Sequence, residues 1–466
     1  MEKIVVNGFN KDYLELTKLI NDEGIIVDPR GKMTKELSPF TIKFNEPTKR
    51  ILSVPYRDIN PFFLVVESLW ILAGRESVYP LNIYNNNISQ FSDDGFYFHA
   101  PYGARLRNYG KSIEIKTSIS ATTYLDLDNG KSKIDSLYSH SYEPSIDQLK
   151  EIYLLLKKEN NTRQAVASIW NPIQDLNTKT KDIPCNDLLM FKIRENKLRV
   201  TICNRSNDLH WGLPTNLFQF SSITEVIAFV LGIDIQCQVH FTDSLHIYKD
   251  INITDKILKA SDSFNVYDYV SPEKFSLEEE FNLDLDIEDK FDKTFFAIET
   301  AMFSIESFDN LFLTFLTKFN KGAFYYEDIK DIFNKIFDND FYLLKIKKQS
   351  LYLASLVDFS LAYFLFKKSF TLLNKEEYSK NAVLFISLNN IALSKLFNTK
   401  QKDYLIVGCN FLYTRYINKL NTKKESWIIS GIEYFCKTIE KELKNVLKLP
   451  DDKFDSIIKY VKEMKK

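Results

Sequence analysis

Several side chains in this sequence have the types and spacing for chemistry. Cys185 lies in Ile183-Pro184-Cys185-Asn186-Asp187, at the head of one alternating run, and Arg205 and Ser206 follow a second. If the runs form a hairpin turning at Glu195–Asn196, Cys185 falls opposite Ser206, with Arg205 diagonal to it. A cysteine at a strand end beside a guanidinium gains thiolate character and becomes a nucleophile; the competing reading is a buried structural thiol. Arg205 and Ser206 also offer a forked cation and a hydroxyl suited to phosphate. Glu67 has only apolar neighbours three and four residues away: Phe63, Leu64, Trp70 and Ile71. Desolvation on such a face raises a carboxyl pKa and makes a candidate general acid or base, unless the side chain sits at the helix edge and reaches solvent. Asp208 and Asn216, separated by a turn through Gly212 and Pro214, can read the donor and acceptor edge of a heterocycle, or belong to a plain polar loop. His246 and Tyr248, two apart on a strand, share a face suited to a sugar hydroxyl; a histidine satisfied within the core is the alternative.

The elements that must position these residues are legible in outline. Pro61 to Ala73 has helical periodicity, with Asn60 as N-cap and Gly74 as stop. Asp187 to Cys203 reads as a hairpin, with Leu189, Phe191 and Ile193 alternating on one strand and Leu198, Val200 and Ile202 on the other. Gln236 to Tyr248 alternates again and predicts one further strand. Twelve of the 13 prolines lie at or before Pro272, and only three glycines separate it from Pro450. That stretch predicts helices packed on helices. Between the two regions lies an acidic segment, Leu277 to Asp292, with eight acidic residues and one lysine. The net charge is −9 before Lys293 and +8 from there on. The predicted organisation is an α+β unit over 1–276, an acidic linker over 277–292 and an all-α unit over 293–466. The basic surplus of the last suits an acidic partner or simply a solvated lysine-rich surface.

The chain has 466 residues, 45% hydrophobic and 26% charged, with a net charge of −1. This is a globular composition, which excludes a disordered chain, a collagen-like repeat and any argument from global charge to nucleic acid. The five cysteines are odd in number and lack CxxC spacing, which argues against a zinc knuckle or a disulfide framework and for reduced thiols in a cytosol. With no apolar leader and no run of 18 apolar residues, the expectation is a cytoplasmic protein without a membrane span or metal.

Taken together and in order, the segments ESLWILAG, PYGARLR, TRQAVASIWNP, IPCN, NRSNDLHWGLPTN and SLHIY resemble the thymidylate synthase family, which includes the nucleotide hydroxymethylases. The resemblance covers about residues 20–260 and leaves the helical region unmatched. It implies an α+β fold with a mixed sheet, dUMP as substrate, methylenetetrahydrofolate as one-carbon donor, and a homodimer. Cys185 would add to C6 of the uracil, and Glu67 would move protons through water. Tyr102 would sit near C5, and Asp208 would orient folate and pyrimidine. Arg205, Ser206 and Arg163 would hold the phosphate, with Arg163 supplied by the other subunit. Asn216 would bond the uracil edge, and His246 and Tyr248 the ribose 3′-hydroxyl. The implied product is dTMP; the alternatives are 5-hydroxymethyl-dUMP, or nucleotide binding without turnover. The sequence departs from the family pattern in several places. Gln164 replaces one of two paired arginines, and Asn186 replaces the histidine after the nucleophile. Ile88 and Phe91 lie near the positions of the folate-contacting tryptophans, no closing C-terminal tail is evident, and Arg30 is one residue out of place for a phosphate arginine. The helical unit reads either as an interaction or regulatory module or as a buttress replacing that tail.

Overall fold

Period-two alternation gives strands where it is expected. In the computed structural model, which describes residues 2–6, 9–110, 145–259, 264–278, 289–319, 325–337, 339–372, 378–422 and 426–462, β6 (Asn186–Arg194) and β7 (Lys197–Asn204) form the predicted hairpin. Glu195 and Asn196 turn it with φ of 54° and 56°, a twist-matched two-residue turn built without glycine. The hairpin lies in a six-stranded sheet with β1 (Glu2–Val6), β4 (Phe40–Phe44), β5 (Val166–Ser168) and β9 (Asp234–Thr242), in the order β1-β4-β9-β7-β6-β5. The β1–β4 and β7–β9 pairs are parallel, and the rest are antiparallel. The single strand expected over 236–248 is two. The chain leaves β9 at Asp243–Ser244 and enters β10 (Leu245–Tyr248), which joins β2 (Ile25–Val27), β3 (Thr34–Leu37) and β8 (Asn207–Asp208) in a second sheet, ordered β2-β3-β10-β8.

Helices follow their signals equally closely. After α1 (Phe9–Glu23), α2 runs Pro61–Leu72, with Asn60 accepting from the Phe62 and Phe63 N–H groups. Gly74, at φ +66°, ends that helix. Next come α3 (Tyr79–Tyr84), α4 (Tyr102–Arg107), α5 (Gln148–Lys158), the short α6 (Pro172–Asp175), α7 (Gly212–Leu231) and α8 (Ile253–Lys259). Helix α7 packs on β7 and β9 and against α2. Gly103 of α4 meets α2 where a Cβ would stand 2.4 Å from the Ile71 carbonyl oxygen, so only glycine permits that crossing.

The region expected to be helical is helical: α9 (Lys290–Glu306), α10 (Phe308–Phe319), α11 (Tyr326–Phe337), α12 (Phe341–Gln349), α13 (Leu351–Leu372), α14 (Tyr378–Phe397), α15 (Lys402–Leu420), α16 (Ser426–Leu447) and α17 (Asp451–Lys462). Among the described residues no helix is long and apolar enough to cross a membrane. Of the acidic segment, residues 279–288 lie outside the described residues; the Glu278 N–H donates to the Gln349 carbonyl at 3.0 Å.

These helices continue the core of the first half. Phe62 of α2 stacks on Phe359 (4.3 Å) and Tyr363 (5.0 Å) of α13. Arg50 is buried, paired with Glu225 of α7 at 2.7 Å, and donates to the hydroxyls of Tyr404 (2.9 Å) and Tyr352 (3.3 Å). Three partners from three parts of the chain thus satisfy one buried guanidinium, as a buried charge requires. Arg415 of α15 grips both oxygens of Asp58 at 3.0 Å.

Candidate active site

Cys185 stands one residue before β6. From Leu188 to Arg194 the hairpin keeps the predicted register, but Asp187 is an extra residue: Asn186 faces Asn204 and Leu188 faces Cys203. This β-bulge slips the register by one. Cys185 therefore faces Arg205, not Ser206 as expected, and its carbonyl accepts from the Arg205 N–H at 3.1 Å. The Arg205 side chain curls back over the same segment. Nε donates to the Pro184 carbonyl (2.8 Å), and Nη2 donates to the Ile183 carbonyl (3.1 Å) and lies 3.8 Å from Cys185 Sγ. A thiolate formed there has its counter-cation in place. The Cys185 N–H donates to the Tyr102 hydroxyl at 3.2 Å.

Tyr102 opens α4, which Arg105 anchors through a two-pronged contact with Asp175 (2.6 and 2.8 Å) and a bond to the Ile169 carbonyl (2.7 Å). The Tyr102 ring stacks on Phe220 of α7, and burial, with the nearby Cys185 and Asp182, raises its phenol above the ordinary range.

Glu67 occupies the greasy face of α2 as its spacing indicates. Burial pushes its carboxyl up to about 8, against a hydrogen bond from Gln219 that pulls it down. Its Oε2 has no hydrogen-bond partner among the described residues. Gln219 lies one turn beyond Asn216 on α7, so the two amides share a face. Asn216 sits in a chain of amides: Asn186 Nδ2 donates to its Oδ1 (3.3 Å), and its Nδ2 donates to Asn207 Oδ1 (3.2 Å). Asn186 Oδ1 and Asn207 Nδ2 are buried without hydrogen-bond partners among the described residues. Orphaned donors and acceptors of this kind are what a polar heterocycle needs on arrival.

On the far side of Asn207, Asp208 of β8 pairs in register with His246 of β10. Burial raises the Asp208 carboxyl, while the His210 N–H and the charges of His246 and Arg57 pull it back. Arg57 is buried, its guanidinium 4.4 Å from the centroid of the half-exposed Trp211 ring, with Nε making no hydrogen bond among the described residues. His246 is 7% exposed, its Nδ1 lies 3.3 Å from Ser244 Oγ, and Tyr248 meets its ring edge-on at 5.3 Å.

Cys185, Tyr102, Arg205, Asn216, Glu67, Asp208, His246 and Tyr248 are thus joined through one set of contacts, and Ser206 adjoins it, half-buried, its hydroxyl making no hydrogen bond among the described residues. Arg163 is not brought in: it is exposed on the loop before β5 and makes no hydrogen bond or ion pair among the described residues. Gln164 beside it is also exposed, Phe91 is 48% exposed, and Arg30 lies on a short 3₁₀ turn over Pro29–Gly31. The sequence reading missed Arg57, Gln219, Asn207 and Asp182. Gln219 was within reach, one helical turn past Asn216; Arg57 carries no local signal. No group of histidine, cysteine and acidic residues that could hold a metal ion occurs among the described residues.

The family model described as thymidylate synthase matches residues 11–310. The chain is similar to a deoxyuridylate hydroxymethyltransferase of Bacillus phage SP01, 44% identical over 53% of this chain and 60% of that protein. It is also similar to one of Pseudomonas phage M6, 32% identical over 54% of this chain and 63% of that one. A thymidylate synthase of Listeria innocua is 26% identical over 52% of this chain and 83% of its own length. The chain thus spans somewhat under two thirds of each of these two phage relatives.

Proposed function

The chain belongs to the thymidylate synthase family, and from that premise we propose that it transfers a one-carbon unit from methylenetetrahydrofolate to C5 of dUMP. The observation that carries this reading is the grouping of a cation-flanked thiol with an oriented amide and a buried carboxyl. Cys185 Sγ adds to C6, which makes C5 a carbon nucleophile. Asn216 holds the uracil edge, donating to O4 and accepting from N3–H; Asn186 and Asn207 fix which way its amide points. Glu67, protonated at neutral pH, donates and recovers protons through water. Arg205 and Ser206 take the phosphate, and His246 and Tyr248 the ribose. Methylenetetrahydrofolate, when bound, supplies the one-carbon unit; the buried Asp208 acceptor, the unpartnered Arg57 Nε and the exposed Trp211 face fit a pterin's donor edge and ring.

The product we favour is 5-hydroxymethyl-dUMP, because the 44% and 32% identical relatives both bear that activity in their names; dTMP is the other reading. The two differ in the fate of the methylene left on C5: water gives the hydroxymethyl group, and hydride from tetrahydrofolate gives methyl.

The working unit is a homodimer. The helix-free face of the six-stranded sheet keeps Leu188, Met190, Val239 and Phe241 part-exposed, an apolar surface suited to a second copy. That arrangement would bring the partner's copy of the Arg163 loop, at the sheet's β5 edge, to the phosphate. No disulfide joins the five cysteines among the described residues, which supports a reducing, cytoplasmic setting.

Tritium release from [5-³H]dUMP tests the reading. Release that requires methylenetetrahydrofolate is expected, with 5-hydroxymethyl-dUMP formed and no dihydrofolate. Cys185→Ser should abolish release and keep dUMP binding; full activity in that variant sinks the nucleophile assignment.

A further inference from the structure

One carboxyl beside the nucleophile has no part in that scheme. Asp182 stands three residues before Cys185, and its Oδ2 accepts from the Ala100 N–H at 2.8 Å. The Cys185 N–H meets the Tyr102 hydroxyl at 3.2 Å. Segment 182–185 therefore lies alongside the turn 100–102 at the start of α4, with a carboxylate at one end of the contact and the thiol at the other. Between them Arg205 holds the carbonyls of Ile183 and Pro184, so their spacing is fixed by the backbone. Asp182 Oδ1 makes no hydrogen bond among the described residues, and the residue is half-buried, which leaves that oxygen open to water. Burial makes the carboxyl more basic than usual, while the Ala100 N–H, His99 and Arg105 still favour its anion. Its charge is felt at the Tyr102 phenol together with that of Cys185.

We propose that Asp182 is the general base that activates water for attack on the one-carbon unit at C5. The assignment rests on the dUMP reading and names the group that directs it to the hydroxymethyl product. Once the donor has departed, the nucleotide carries an exocyclic C5=CH₂ group and a C6–Sγ bond. Water oxygen bonds to the CH₂ carbon as one of its O–H bonds breaks, and Asp182 Oδ1 takes the proton. The π pair of C5=CH₂ moves toward C4=O as an enolate. The enolate re-forms C4=O and C5=C6 and breaks C6–Sγ, which returns Cys185 as thiolate. Solvent then removes the proton from Asp182.

Asp182→Asn tests this, because its amide oxygen still accepts from Ala100 N–H. A single turnover with [5-³H]dUMP and methylenetetrahydrofolate reads both halves of the reaction. Tritium release, which precedes the water step, should stay within about twofold of wild type, as should the Kd for dUMP by calorimetry. Formation of 5-hydroxymethyl-dUMP should fall by about 10²-fold, the size of a lost general base, and an added small thiol should trap the methylene carbon instead. Unchanged hydroxymethyl formation overturns the assignment, and so does a parallel fall in tritium release. Wild-type protein that makes dTMP, or nothing, overturns the hydroxymethyl reading itself and the proposal with it.

Discussion

Glu67 shows how far a single residue can be read. Apolar neighbours one helical turn away on either side mark it as desolvated, and the folded chain holds its carboxyl at about 8 against an ordinary 4.5. Two consequences follow from that direction. If the protonated form is the working one, turnover falls as pH rises through about 8, and Glu67→Gln removes that limb along with most of the activity; a kcat profile from pH 6 to 9 checks this. The folded chain also binds this proton more tightly than the unfolded chain does. The stability this provides is therefore fully present below 4.5 and is lost as pH climbs to 8, at about 1.4 kcal/mol per unit. Calorimetry of Glu67→Gln and wild type at pH 5 and 8 should show the difference widening in favour of the variant; a constant offset would contradict the burial. The sequence marks Asn216 as a candidate heterocycle reader, but the amides that orient it are not legible there. Asn186 and Asn207 meet it only through the bulged hairpin and the second sheet, and no local spacing encodes that meeting.

At the scale of elements, period and punctuation gave the hairpin and α2 almost residue for residue, and failed where distant backbone decides. The bulge at Asp187 exists because its carbonyl accepts from both Ile169 (2.8 Å) and Trp170 (2.9 Å) N–H groups, a contact invisible in the strand's own alternation. The corner at Asp243–Ser244 is similar: alternation runs straight through a change of sheet. Packing of α15 on α2 is equally non-local and makes its own prediction. A Cβ at Gly408 would lie 2.8 Å from the Phe359 ring and 3.3 Å from the tip of Phe62. Neither stacked ring has room to retreat. Gly408→Ala should cost about 1–3 kcal/mol of stability by overpacking. It should also lower kcat more than it weakens dUMP binding, because Phe62 belongs to the helix that carries Glu67. An unchanged Tm would mean the stack yields freely.

At the scale of the molecule, the open sheet face predicts the assembly. Val239 stands at its centre, in register with Thr201 on one side and Lys43 on the other. Val239→Asp should leave the fold intact and sediment as a 54.6 kDa monomer. Turnover should be lost with the dimer, since Arg163 is exposed and makes no hydrogen bond or ion pair among the described residues. A monomer that still turns over would remove the partner arginine from the site. Composition foretold a helical second half and its +8 charge, but not what that half does for the first: long-range burial leaves no mark in local periodicity. Arg50 is the clearest instance, a loop residue whose companions Tyr352 and Tyr404 belong to helices encoded some three hundred positions later. The two halves share one interior, with Phe62 and Arg50 of the first packed against Phe359, Tyr363, Tyr352 and Tyr404 of the second. The second half is therefore not a cassette that engineering could detach near residue 289 without exposing that interior. Shedding it would strip the back of α2, the helix that carries Glu67, and uncover the Phe62 ring that stacks on Phe359 and Tyr363.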